Sequence, residues 1–252
     1  MKILTPENYF EPDEYMSVSA FKKFKQCEAG GLVPFGTPSG AMLIGSYVDA
    51  FVGGTLEKFK EEHPEIISSK GASKGKAKAE FRQADDICDF IVNDETFSQF
   101  MSGQKQKILT GSLSGVPFKI MMDSYVPGKA ISDLKVMRTV TNNDGDYYDF
   151  ITQWGYDIQL ACYQEIVKQN TGEQLPCFIC AVTKEYPINS IIVNLPQYVL
   201  DKALYKVLSE VGAFYDIKMG VVAPKGCGIC KYCIQLRGTT PIISMEDFVD
   251  FL

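Results

Sequence analysis

Two aspartates and a lysine, Asp123, Asp133 and Lys135, stand at a spacing that can bring three charges together. Val116 to Val126 alternates, with Phe118, Ile120 and Met122 on one side and Lys119, Met121 and Asp123 on the other, which predicts a strand. Pro127, Gly128 and Lys129 predict a turn, and Ala130 to Met137 the returning strand. Side chains alternate along a strand, so Asp133 and Lys135 share a face while Leu134 points away. A three-residue turn pairs Asp123 directly with Asp133, with their Cβ atoms roughly 4.5–5.5 Å apart. Like charges that close require a proton, a neighbouring cation or a bound metal. Lys135 is one cation, and a divalent metal is the natural second. The plainer reading of the same residues is an ion-pair cluster on a sheet face.

The elements that must hold these residues follow from periodicity. Residues 1–15 are rich in proline and acid and read as irregular; Ser17 or Ser19 caps a helix over Ala20 to Cys27. Gly30 to Gly40 reads as a loop, and Ala41 to Lys60 as a helix interrupted at Gly53 and Gly54. Ala77 to Asn93 is amphipathic, with Phe81, Ala84, Ile87, Cys88 and Ile91 on one face. Lys107 to Leu113 and Val116 to Val126 read as a hairpin, with Ala130 to Met137 as a third strand, and Thr139 to Asp149 is a polar loop beside the presumed site. Ile151 to Gln169 is the clearest helix, with Ile151, Trp154, Ile158, Cys162 and Ile166 as its buried stripe. Gln159 and Tyr163 lie four apart, one turn from each other beside that stripe, where they either edge the core or face a site. Pro176 to Thr183 and Ser190 to Leu195 read as strands, and Tyr198 to Met219 as a long helix. The order is α/β with a mixed central sheet.

Bulk properties narrow the function. The 252 residues, 46% hydrophobic and 22% charged, have the balance of a soluble globular protein with a substantial core. Met1 to Pro6 breaks too soon for an apolar leader, and no stretch has the roughly 18 apolar residues of a membrane span, so no membrane association is expected and the cytoplasm is the expected setting. One histidine, His63 beside Pro64, reads as a surface residue and leaves little room for histidine-based nucleophilic schemes. A net charge of −6 argues against a bulk nucleic-acid binder, less so against a local basic groove. Lys22, Lys23 and Lys25 form one basic patch, and Lys70, Lys74, Lys76 and Lys78 another. The second reads either as a solvated loop or as an arm that tracks phosphates.

Asp123, Asp133 and Lys135 across a hairpin resemble the core of the PD-(D/E)xK nucleases, with Met122 where the family name has proline. Gln159 and Tyr163 are similar to the Gln-xxx-Tyr motif of the RecB-like branch, and Gly45 to Asp49 stands where that branch has Gly-xxx-His. The set spans about residues 41–195 and most resembles the RecE-like exonucleases of phages and prophages. The resemblance implies a restriction-endonuclease-like αβββαβ core at 41–200, with an N-terminal arm at 1–40 and a C-terminal helix and cysteine cluster at 201–252, all in one domain. It implies hydrolysis of linear duplex DNA with Mg²⁺ or Mn²⁺ on Asp123, Asp133, the Leu134 carbonyl and Asp49, which replaces a histidine. Lys135 assists the attacking water; Gln159 and Tyr163 position substrate or lysine. DNA ends, a single-strand annealing recombinase and further copies of the chain are the implied partners, although the sequence carries no interface signal of its own. A catalytically weak or inactive DNA-end-binding module is the alternative, motivated by Asp49 and the acidic charge.

Eight cysteines in a cytoplasmic chain point to thiols or metal ligands rather than disulfides. Cys227, Cys230 and Cys233 are dense, and the first two have metal-knuckle spacing, so a fourth ligand is needed. By resemblance to RecB-like nucleases that close their domain on one early and three late cysteines, Cys27 is that ligand. The expected occupant is a [4Fe–4S] cluster, with Zn²⁺ or reduced thiols as alternatives. Cys177 and Cys180 share the two-residue gap but fall in a strand, where they point to opposite faces and pack.

Overall fold

Ser17 turns the chain from strand to helix: its hydroxyl accepts from the Ala20 N–H at 3.3 Å and caps the helix that begins at Val18. The computed structural model describes residues 3–34, 40–71, 74–142, 145–147, 149–240, 242 and 244. Parts of five expected segments lie outside them, at 1–2 of the irregular start, 35–39 of the Gly30–Gly40 loop, 72–73 of the lysine run, 143–144 and 148 of the polar loop, and 241, 243 and 245–252 of the C-terminal segment.

In chain order the elements are β1 (Met16–Ser17), α1 (Val18–Gln26), α2 (Glu28–Gly31), α3 (Gly40–Val52), α4 (Leu56–Glu62), α5 (Ala79–Asn93) and α6 (Glu95–Phe100). Then come β2 (Lys107–Leu113), β3 (Val116–Met122), β4 (Ser124–Val126), β5 (Ala130–Met137), α7 (Phe150–Gln153) and α8 (Tyr156–Thr171). The chain continues through β6 (Cys177–Thr183), β7 (Ser190–Asn194), α9 (Gln197–Lys218) and α10 (Lys231–Leu236).

The expected single mixed sheet is divided in two. One sheet has the order β1-β3-β2 and the other β4-β5-β6-β7, with parallel pairs β1–β3 and β5–β6 and the rest antiparallel. The division falls within the expected strand Val116–Val126, at Asp123, where the chain bends and passes from the first sheet to the second. A residue at a bend gives up ladder pairing, and its side chain can turn toward the fork between the two sheets.

Helices cover both faces of the second sheet, as its alternation demands. Ile131, Cys177, Ile179 and Ala181 pack with α1, α8 and α9 in one core that also holds Phe21, Phe118, Leu160 and Val207. Leu134, Cys180 and Val182 point the other way, into a second core with Val48 of α3, Ile87 of α5 and Phe97 of α6. Each such fully buried side chain contributes about 1.5–3 kcal/mol, which locks the register of β5 and β6. The opposite orientations of Cys177 and Cys180 follow from the same alternation.

The helix expected over Ile151–Gln169 is two helices. Gly155, at φ +64°, adopts a left-handed conformation between α7 and α8. Trp154, placed in the buried stripe by its spacing, is 56% exposed because the break rotates α7 out of phase with α8.

Candidate active site

The register Ser124–Ser132, Tyr125–Ile131, Val126–Ala130, carried one step further, sets Asp123 opposite Asp133. Asp123 does not pair through its backbone there. Its carboxylate instead crosses to β5 and accepts the Leu134 N–H at 2.8 Å. Asp133 and Lys135 face α8, while Leu134 between them enters the opposite core.

Asp133 is 1% exposed, and both of its oxygens are engaged. Oδ2 takes the Lys135 ammonium and Oδ1 takes the Gln159 amide at 2.8 Å. The same Gln159 nitrogen donates to the Tyr163 hydroxyl at 2.9 Å. Lys135 therefore sits at one end of a hydrogen-bonded line through Asp133 and Gln159 to Tyr163. Its ammonium also lies 4.9 Å from the centre of the Tyr156 ring, a cation–π contact that fixes it from the other side.

Charges set the protonation of this group. Burial opposes the charge of Lys135, but Asp133 and Asp123 outweigh it and hold the lysine well above its ordinary value. Burial, then the charges of Asp133 and Asp49, push Asp123 well above the usual carboxylate range, against Lys135 and the Leu134 N–H. Asp49, on α3, reaches the same cleft wall as Asp123 and Leu134. Its carboxyl is open to water at the mouth yet flanked by protein, and desolvation followed by the Asp133 charge raises it to about 7, with Lys135 opposing. The three acids thus repel one another across the fork. They stop short of a closed ligand set: Asp49, Asp123 and Leu134 line the cleft, and Asp133 stands behind them.

Four neighbours of this site escaped the motif reading. Tyr156, Gln159 and Tyr163 fall at i, i+3 and i+7, one helix face, and that spacing was the available signal for Tyr156. Lys22 was visible only as part of a basic patch; its ammonium donates to the Trp154 carbonyl at 2.7 Å and lies 5.6 Å from the Tyr156 ring. Burial and the charge of Lys135 lower its pKa. Lys105, lowered by burial and raised by Asp123, and Gln106, at φ +46°, come from a connection with no local signal. That connection is pinned to β4: Gln104 exchanges bonds of 2.8 and 3.0 Å with the Tyr125 backbone, and the Gly103 N–H donates to Ser124 Oγ at 2.9 Å.

A family model described as a PDDEXK-like domain of unknown function matches residues 17–236, which takes in both sheets, α8 and the late cysteines. The chain belongs to this family. Its α/β architecture is that of a PDDEXK-like domain. A crystal structure from Eubacterium rectale, of a protein provisionally named an exonuclease, is similar over 100% of both chains, with 42% identity and a TM-score of 0.90. No curated protein matches the chain in sequence. The family match and the structural similarity support a nuclease.

The other polar centre of this PDDEXK-like chain brings the α1–α2 junction to α10. Cys27, between α1 and α2, joins Cys227, Cys230 and Cys233 around the start of α10, with all four sulfurs within 4.8 Å of one another. Cys27 and Cys233 are 3.6 Å apart, and Cys227 and Cys233 4.0 Å. Backbone N–H groups point at the sulfurs: Gly30 at Cys27 and Cys230 at Cys227, each at 3.3 Å. The Ile229 and Cys230 N–H groups lower the Cys227 thiol to about 6, into the range where a thiolate is available as a ligand. Among the described residues this is the set that gathers three or more candidate ligand atoms. His63 lies apart from both centres, its Nδ1 2.9 Å from Glu65. Among the described residues, no helix is long and apolar enough to cross a membrane.

Proposed function

We propose that the chain is a metal-dependent deoxyribonuclease, an exonuclease that hydrolyses phosphodiester bonds of linear double-stranded DNA in phage-type recombination and repair. The observation that carries this reading is the line Lys135–Asp133–Gln159–Tyr163 set beside Asp123, an ammonium held in place next to a carboxylate cluster that faces a cleft. A surface ion-pair cluster does not explain it, because Asp133 is buried and each of its oxygens is separately satisfied.

The all-oxygen, mutually repelling acids fit a hard divalent ion. Asp123 and Asp49 at the cleft, with Asp133 behind them and the Leu134 carbonyl as a further donor, would hold Mg²⁺ or Mn²⁺. Such an ion, when bound, polarises a phosphate and lowers the pKa of a water molecule. Lys135, kept protonated by Asp133, orients that water or stabilises charge as it develops on the phosphate. Gln159 fixes Asp133, and Tyr163 fixes Gln159, so Lys135 keeps its position without rearrangement. The 252 residues act as one nuclease domain in a cytoplasmic setting, with a single-strand annealing recombinase and further copies of the chain as partners.

The cysteine site is a staple between the two ends of the domain. Around one zinc ion with Zn–S of about 2.3 Å, tetrahedral sulfurs lie about 3.8 Å apart. The 3.6 and 4.0 Å separations fit that arrangement better than a [4Fe–4S] cluster, where each thiolate binds a different iron. Visible absorbance of the purified protein would instead identify the cluster.

A DNA-end-binding module without turnover is the second reading, favoured by Asp49 in place of the family histidine. End-labelled linear duplex incubated with Mg²⁺, Mn²⁺ or EDTA separates the two. Metal-dependent release of short products is expected. Lys135→Ala should lower cleavage by at least about 10²–10³-fold while keeping cooperative unfolding. Normal cleavage by that variant would overturn the catalytic assignment, and binding without cleavage by the parent would favour the module.

A further inference from the structure

We infer that Phe10 is a base-stacking residue, which receives the terminal nucleobase of the DNA strand whose phosphate lies at Asp49 and Asp123. The inference rests on the nuclease reading and names the form of its substrate at the site, the end nucleotide of a single strand.

Phe10 is 73% exposed and lines the same cleft as Asp49 and Asp123. Exposed aromatics are ordinary when scattered, but this one lines the site and follows an anchored residue. Buried Lys119 on β3 anchors the segment that carries it: its ammonium bonds Asp13 at 2.6 Å and the Tyr9 carbonyl, and lies 4.7 Å from the Tyr9 ring. The Tyr9 hydroxyl donates back to the Lys119 carbonyl at 3.2 Å. Buried Tyr9 meets Phe10 edge to face, with ring centres 5.2 Å apart and planes at 86°, which fixes the Phe10 ring without covering it.

The electrostatics of the cleft decide which part of a nucleotide goes where. Its volume is about 470 Å³, the size of a small-molecule pocket. A cleft of small-molecule size suits one end nucleotide rather than a length of paired duplex. Among the described lining residues Lys58 is the one cation, and it lies 3.9 Å from both Glu7 and Glu62. That end of the cleft repels a phosphate. Carboxylates do accept from the amino groups on base edges, and an aromatic face stacks on any base. The backbone therefore goes to the metal-binding side and the base to Phe10.

The test compares the parent, Phe10→Ala and Phe10→Trp by fluorescence anisotropy in Mg²⁺, using hydrolysis-resistant phosphorothioate oligonucleotides that are intact or lack the base at the 5′ or the 3′ terminal nucleotide. The parent should bind the intact strand about tenfold more tightly than one of the two abasic strands. Phe10→Ala should lose about the same factor on the intact strand and no longer distinguish that abasic end. Phe10→Trp should keep the discrimination, with its emission quenched on binding. Equal affinity for parent and Phe10→Ala overturns the inference, as does weaker binding with undiminished discrimination. A parent that discriminates abasic ends but does not cleave unmodified end-labelled duplex in Mg²⁺ or Mn²⁺ leaves the stacking intact and overturns the nuclease reading. A parent that binds none of the strands overturns the inference alone, because the nuclease reading stands or falls on cleavage of the end-labelled duplex.

Discussion

Asp133 shows how much one buried carboxylate can organise. Its two oxygens fix a lysine from the next position of its own face and a glutamine from α8, so the charge of Lys135 and the orientation of Gln159 depend on one side chain. The cost falls on its neighbours, since Asp123 and Asp49 carry carboxyls raised by burial and then by nearby negative charge. An acid whose folded pKa lies above its unfolded value stabilises the fold fully below the unfolded pKa, and that contribution is lost as pH rises through the folded one. For Asp49 the window runs from 3.8 to about 7. In EDTA, thermal unfolding should therefore move to lower temperature between pH 5 and pH 8. Water at the cleft mouth screens part of the effect, leaving a shift of about 2–4 °C. Mg²⁺ should reverse that loss at pH 8, and Asp49→Asn should flatten the profile. A parent profile in EDTA that is already flat would contradict the charge coupling.

The elements that hold the site depend on two interruptions. The bend at Asp123 separates β3 from β4 and frees the carboxylate to reach the Leu134 N–H; a continuous strand would commit Asp123 to a ladder. Gly155 at φ +64° turns the chain between α7 and α8, presenting the Trp154 carbonyl to Lys22 and starting α8 in phase for Tyr156, Gln159 and Tyr163 to face β5. A Cβ at Gly155 would meet Lys22 Cδ at 3.4 Å, an ordinary contact, so its cost is conformational. Gly155→Ala should destabilise by about 1 kcal/mol, lowering the melting temperature by about 2–4 °C. Gly155→Asn, better suited to a left-handed backbone, should recover part of the loss. Equal melting temperatures for all three proteins would show that the turn tolerates a side chain.

Across the whole molecule, the cysteine site joins regions far apart in sequence. Cys27 follows α1, whose Phe21 and Phe24 pack against Phe214 of α9, and Cys233 lies on α10. A bound ion adds stability that grows with the logarithm of its affinity for the folded chain. Removing it with a strong chelator, or replacing Cys27 with serine, should lower the melting temperature at fixed pH, and elemental analysis should find one zinc per chain. Asp133→Ala should leave that metal content unchanged, because the two centres share no ligand. Absence of metal and of any chelator effect would mark the cysteines as packed thiols.

The local pattern of residues was enough for the elements with strong periodicity. The buried face of α5, the alternation of β5 and β6, and the turn that sets Asp123 opposite Asp133 are each dictated by steric and hydrophobic rules that act over a few residues. The same rules extended the α8 stripe one turn too far, because periodicity is blind to a glycine that reverses the backbone. Short elements such as β1, α2 and α10 were missed, since two to six residues carry too little pattern and are held by distant partners. Neither the fork between the sheets nor the placing of Lys22, Lys105, Gln106 and Phe10 around the acids has a local signature. Those positions follow from burying two apolar cores on opposite faces of one sheet, which brings together residues that the sequence keeps far apart.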